Sequence, residues 1–254
     1  MNALPLGYWV TVAGVLGLAL GSFFTVLVHR WPTGQSLVSP RSHCTTCDRT
    51  LGPLDLIPVV SWLLARGRCR GCGDRVSWTY PAIELATAGL AAGAILSFGA
   101  TPRGVAAAIL GIALVPVVVI DMQHRLIPDV VVLPAALGAL FVAAWADADQ
   151  LTASALAAVG AGAFMFLLWA AYPGGMGLGD VKLAVLIGAV LGTSAVPALA
   201  IAFAAGAAIG VAMLVRHGSA ARKMAVPFGP FLAAGAMLAL WCGPAMIDWY
   251  SGRL

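Results

Sequence analysis

The chain has 254 residues, of which 61% are hydrophobic and only 9% charged, and its mean hydropathy is +0.96. That composition excludes a soluble core wrapped in polar surface and makes lipid the main solvent. The net charge of +4 does not point to nucleic acid, because half of the fourteen Lys and Arg fall within residues 30–75, beside apolar segments, where basic residues orient a chain in a membrane.

A helix needs roughly 20 mostly apolar residues to cross the hydrocarbon, or about 17 at the short end. Eight segments qualify, at 7–28, 82–98, 104–120, 130–146, 152–172, 181–195, 197–215 and 227–247. The sixth and seventh are parted by little more than Thr193, Ser194 and Pro197, so seven spans also fit. The expected fold is all-α and polytopic. It divides into a first transmembrane helix (1–29), a polar loop domain (30–80) and a seven-helix membrane domain (81–254). The first basic residue, Arg30, follows the first apolar stretch instead of preceding it, so that stretch is expected to be a retained helix and not a cleaved signal peptide.

The loop after the first segment holds Cys44-Thr45-Thr46-Cys47 and Cys69-Arg70-Gly71-Cys72, two Cys-x-x-Cys knuckles with 21 residues between them. Such a pair supplies four thiolates to a tetrahedral Zn²⁺ in a closed, structural set. A metal also makes a small unit foldable without a large core, and the stretch 54–64 inside this loop is too short to span. His43 reads as a polar neighbour of the first knuckle, and Cys242, alone in an apolar segment, as a small buried hydrophobe. Two disulfides or idle thiols are the competing readings of the four loop cysteines, and a cytosolic location disfavours the disulfides.

Two acids stand where membrane segments end. Asp121 closes the apolar run 115–120, and Asp180 closes a stretch containing Gly175, Gly177 and Gly179. A carboxylate beside hydrocarbon costs at least a few kcal/mol, so such acids face an interior or a water-filled cavity and do chemistry or transport. Pro128 forces a turn between Asp121 and Asp129. Asp129 then reads as an N-cap of the following segment, and Asp180 has the same structural reading. Asp121, by contrast, meets the negative end of its own helix dipole, which leaves pairing with His124 or Arg125 as its structural role. The glycines permit close backbone approach, and irregular backbone at membrane depth is tolerated where it lines a cavity. Two adjacent carboxylates cannot both ionise, so one keeps a proton and the pair acts as acid and base on a water, as in aspartic proteases. A G-x-G-x-x-G nucleotide loop is excluded because Lys182 stands at the third glycine's place.

With the N-terminus outside, Arg30, Arg41, Arg49, Arg66, Arg68, Arg70, Arg75, Arg125, Arg216, Arg222 and Lys223 fall on the cytosolic side, with Lys182 at the same face. Only Arg103 and Arg253 fall outside. Asp121, Asp129, Asp180 and the cysteine loop then share the cytosolic face.

Gly177-Leu178-Gly179-Asp180 matches the G-x-G-D signature of intramembrane aspartyl proteases. Over nearly its full length the chain resembles the type IV prepilin peptidases. The matches run in order: Gly21-Ser22-Phe23, His29-Arg30-Trp31-Pro32, the two knuckles, Tyr80-Pro81 with Glu84, Asp121 through Ile127-Pro128-Asp129, Gly177 to Lys182, and Pro227-Phe228-Gly229-Pro230-Phe231. Thr25 stands where an asparagine is common in the family.

The resemblance implies that Asp121 and Asp180 are the catalytic pair, with Gly177 and Gly179 in the active-site loop. It implies a substrate, the basic leader of a type IV prepilin or type II secretion pseudopilin, cut at the cytosolic face of a bacterial inner membrane. It also implies N-methylation of the new terminus with S-adenosylmethionine, whose site no motif here locates. Glu84, near the same face, is open between pairing with a basic leader residue, orienting the site, and a salt bridge or cap. The competing function is a proton-coupled transporter with a regulatory zinc loop, although its acids belong nearer mid-bilayer on broken helices. A third reading is a membrane scaffold whose zinc unit recruits a cytosolic partner.

Overall fold

A computed structural model describes residues 4–172, 174–218, 224 and 226–252. They form two compact units, Met1–Pro116 and Val117–Leu254. Both are helical, and the described β pairing amounts to two isolated bridges. Arg222, Lys223 and Arg253, used above for orientation, lie outside the described residues.

In the first unit, α1 (Leu6–Arg30) packs along α3 (Thr79–Phe98), and the polar segment between them carries the short helix α2 (Val60–Leu64). Lipid gives helices no hydrophobic reason to associate, so small residues that let backbones touch supply the contact. Gly17 and Gly21 do this on one face of α1. A Cβ on Gly17 would lie 2.6 Å from Ala88 Cα, and one on Gly21 would lie 2.7 Å from Glu84 Cα. The polar segment is tied to the same helix pair. The His29 ring stacks on Tyr80 with centroids 5.1 Å apart, and buried Glu84 accepts the Val59 N–H at 2.7 Å. The start of α4 (Pro102–His124) completes the unit, with Gly111 facing Leu90.

The second unit contains the end of α4 together with α5 (Asp129–Ala146), α6 (Ala148–Ala171), α7 (Leu178–Leu191), α8 (Ala195–His217) and α9 (Gly229–Ser251). Its centre is α7, whose Leu183, Leu186 and Ile187 are fully buried. Ala139, Ala158 and Ala189 form one buried cluster joining α5, α6 and α7. Gly188 lets α7 lie against α6, since a Cβ there would meet Ala158 Cα at 2.7 Å.

Seven described stretches are long and apolar enough to cross a bilayer. The stretch Leu178–His217 is one of them, interrupted by a 3₁₀ turn at Gly192–Ser194 with Gly192 at φ +57°. That break falls where the sixth and seventh expected segments part, so both counts describe the same chain. The 14 residues of α7 span only about 21 Å, less than the roughly 30 Å of hydrocarbon. The protein is thus an all-α polytopic membrane protein. Two expectations are corrected. First, α4 runs to His124, so Asp121 sits inside its last turns, and Arg125, at φ +55°, ends the helix. Second, Cys242 is exposed on α9 and not a buried hydrophobe.

Candidate active site and metal centre

Asp121 and Asp180 both belong to the second unit, and their side chains are buried, at 5% and 7% exposure. Asp180 is the third residue of α7. Its Oδ2 accepts the backbone N–H of the N-cap, Gly177, at 3.1 Å, which is half of a capping box. Asp121 Oδ2 accepts the N–H of Gly229, at 2.8 Å. Gly229 opens α9, so the carboxylate that opposes the dipole of its own helix sits at the positive end of another. No ion pair joins Asp121 to His124 or Arg125 among the described residues, although the Arg125 charge acts on it.

Each acid thus has one oxygen gripped by a backbone donor at a helix N-terminus. The other oxygen, Oδ1, takes no hydrogen bond among the described residues. No buried side-chain oxygen there is left both enclosed and unpartnered, so each Oδ1 opens onto accessible space. The Asp121 charge also acts on Asp180.

The turns around the acids are packed together. A Cβ on Gly179 would lie 2.8 Å from Ile127 Cβ, so only glycine lets the α7 turn sit against the 125–128 turn. Asp129 is the first residue of α5, with Pro128 as N-cap, and its carboxylate takes Lys182 Nζ at 2.6 Å instead of capping backbone. Sequence reasoning missed two partners. Gly229 was visible only as part of a Pro-Phe-Gly-Pro-Phe match, and nothing local joined Lys182 to Asp129.

In the first unit the two knuckles are near copies of each other. Cys44 N–H bonds Arg49 O and Cys69 N–H bonds Asp74 O, at 3.0 and 2.8 Å. Each knuckle closes on a residue of positive φ, Asp48 in one and Gly73 in the other. The four Sγ atoms of Cys44, Cys47, Cys69 and Cys72 lie within 4.8 Å of one another, and Cys44 and Cys72 are 3.9 Å apart. A tetrahedron of thiolates at 2.3 Å from Zn²⁺ has edges of about 3.8 Å, so the group fits a tetrahedral metal ion. Backbone N–H groups favour the thiolates. Those of Cys72 and Gly71 hold Cys69 down to about 6, and those of Thr46 and Cys47 lower Cys44. The described cysteines are all free of disulfides. His43 stays outside the cluster, bonded to Arg41 O at 3.0 Å. Glu84 serves the loop backbone through Val59, which sits at φ +61°, a costly conformation for a β-branched residue.

Fold and sites together define a multi-pass membrane protein with a four-cysteine unit and two buried acids. The model of the bacterial peptidase A24 N-terminal domain matches residues 15–98, and that of the type IV leader peptidase family matches residues 106–214. The chain is 37% identical to the prepilin leader peptidase/N-methyltransferase of Bacillus subtilis, over 95% of this chain and 97% of that one. It is 38% identical to the protein of the same name from Burkholderia pseudomallei, covering 95% and 88%, and 33% identical to that from Pseudomonas aeruginosa, covering 93% and 91%. No solved structure matches the chain. The protein belongs to the type IV leader peptidase family and is an enzyme of the prepilin peptidase/N-methyltransferase kind.

Proposed function

We propose that this enzyme is an aspartic endopeptidase that removes the basic leader of a type IV prepilin or type II secretion pseudopilin, with Asp121 and Asp180 as its acid–base pair. The observation that carries the reading is that both acids are buried in one unit, each held through one oxygen and each with the other oxygen open. One carboxylate takes a proton from the attacking water, and the other gives a proton to the scissile carbonyl. The backbone grips fix the two groups and leave Oδ1 of each for these transfers. Gly177 and Gly179 form the loop beside the scissile peptide. The distribution of Lys and Arg supports an inner-membrane topology with the N-terminus outside and this site at the cytosolic face. Zn²⁺ is the metal of the cysteine unit, where it serves as scaffold.

The same protein N-methylates the new terminus. S-adenosylmethionine supplies the methyl group when bound. A cavity of about 590 Å³ in the first unit, lined by Glu84, Tyr80, His29 and Trp62, fits it in size. The aromatic rings of Tyr80 and Trp62 also suit its adenine, while the lining carries five arginines against three carboxylates.

The decisive experiment is Asp121→Asn and Asp180→Asn in the full-length protein with a purified prepilin. Each variant inserts and folds but yields no cleaved product by mass spectrometry. Near-wild-type cleavage by either removes the dyad.

A further inference from the structure

In the polar segment of the first unit, α2 has two faces. Ser61, Trp62 and Ala65 line the cavity, and Trp62 Nε1 donates to Val76 O at 3.1 Å. The opposite face is apolar and uncovered. Ile57, Val60, Leu63 and Leu64 are all exposed, Leu63 at 60% and Leu64 at 72%, and Leu54 and Trp78 are exposed in the same polar segment. A soluble loop gains nothing from such a surface, and a contiguous apolar patch marks an interaction site.

The depth of this face follows from α3. Its 20 residues rise about 30 Å, the thickness of the hydrocarbon, so Thr79 stands near one boundary of the bilayer. Glu84 is five residues further on, about 7 Å along the helix axis. Because Glu84 holds the Val59 N–H, the start of α2 is fixed within a turn or so of that boundary. The stack of His29 at the end of α1 on Tyr80 at the start of α3 sets the same level. Trp78, just before α3, is 72% exposed there, as tryptophans at membrane interfaces are. Arg66 follows α2, is exposed, and makes no ion pair among the described residues, whereas Arg68 lies on the cavity side.

We propose that the outer face of α2, with Ile57 and Trp78, is an interfacial anchor that seats the cysteine unit in the headgroup region of an anionic bilayer, with Arg66 on lipid phosphate. Burial of this face replaces its contact with water, and a guanidinium flanking an apolar face matches anionic lipid. The anchor makes the cysteine unit part of the membrane surface and not a freely tethered domain.

The test uses the full-length, zinc-loaded protein in nanodiscs, with an environment-sensitive fluorescent amino acid replacing Leu64, or replacing exposed Arg41 as control. Collisional quenching is measured with brominated acyl chains and with aqueous iodide, in phosphatidylcholine alone and with phosphatidylglycerol added. The expected result is that brominated lipid quenches the probe at 64 several-fold more than at 41, and that iodide does the reverse. Added phosphatidylglycerol raises lipid quenching at 64, and the gain disappears in the Arg66→Gln variant. Equal iodide quenching at 64 and 41 overturns the anchor. So does iodide quenching at 64 that only a bound polypeptide suppresses, which assigns the face to a protein partner. No response to phosphatidylglycerol overturns the anionic component. Cleavage of the precursor is not the readout, so the result stands apart from the fate of the dyad.

Discussion

Asp180 and Asp121 are gripped in the same way, through Oδ2 by a backbone N–H at a helix N-terminus, yet from places of opposite kind. For Asp180 the donor is three residues away in its own turn, and for Asp121 it is 108 residues away at the start of α9. The first grip forms whenever α7 forms. The second exists only once α9 has docked against the end of α4, so the position of Asp121 reports the packing of the whole unit. The more fragile carboxylate is therefore Asp121, although its hydrogen bond is the shorter.

This asymmetry is sharpest at glycine. A Cβ at position 229 would come 2.7 Å from Asp121 Oδ2 and 3.1 Å from its Cγ, so Gly229→Ala must push the carboxylate aside. Displacement of a catalytic group by about 1 Å costs on the order of 100-fold in rate. Cleavage of a prepilin by Gly229→Ala is expected to fall by about that factor with substrate binding little changed, read from kcat against KM. Retention of full activity would show that the α9 terminus does not position Asp121. Gly179→Ala is the next largest, at about 10-fold. Its Cβ meets Ile127 Cβ at 2.8 Å, which moves the turn carrying Asp180 and leaves the hydrogen bond to Asp180 itself untouched.

Removing the metal tests whether either grip depends on the cysteine unit. Both carboxylates belong to the second unit, and all four thiols belong to the first. Within the four-thiol cluster the shifts oppose each other, Cys69 being lowered to about 6 and Cys72 raised to about 12 by its neighbouring sulfurs, so the pH dependence of the unit is set by metal ligation, whose ligands must be thiolates. A chelator is expected to strip the ion far faster at about pH 5 than at about pH 8, followed by metal release to a chromogenic dye. Cleavage assayed after return to neutral pH is expected to drop only a few-fold. A complete loss would mean that the knuckles help to build the peptidase site.

The same contrast explains what sequence could tell. The Cys-x-x-Cys spacing, the apolar segments and the glycine pair before Asp180 are local patterns, and each fixes a local structure: two matching turns, a set of helices, a capping box. The break at Gly192–Ser194 was legible for the same reason. The partner of Asp121 was not, because nothing within reach of Asp121 along the chain encodes a helix that begins 108 residues later. Asp129 went astray similarly. Its position favours capping, but Lys182, brought beside it by packing of α7 on α5, offers a charge. Glu84 was left open, since its acceptor role depends on where Val59 comes to rest.

Two smaller effects complete the comparison. Gly177 has φ −88° and ψ 153°, which any residue adopts, and an added Cβ would find nothing closer than Asp180 Oδ2 at 3.7 Å. Gly177→Ala is therefore expected to keep cleavage within about threefold of wild type, since a contact beyond 3.4 Å is ordinary packing and displaces no group. A loss as large as that of Gly229→Ala would mean that the substrate backbone, which the proposed mechanism runs past this loop, packs in direct contact with Gly177 itself. The smallest effect belongs to the Lys182–Asp129 pair. Its nitrogen–oxygen distance is 2.6 Å, but the two side chains remain 39% and 46% exposed, and an exposed pair contributes about 0.5 kcal/mol. A double-mutant cycle of Lys182→Gln and Asp129→Asn, read by thermal unfolding in detergent, is expected to give a coupling energy of about that size. The pair then orients two turns already fixed by Gly179 against Ile127, and a coupling of several kcal/mol would instead make it the principal tie between the turns that carry the acids.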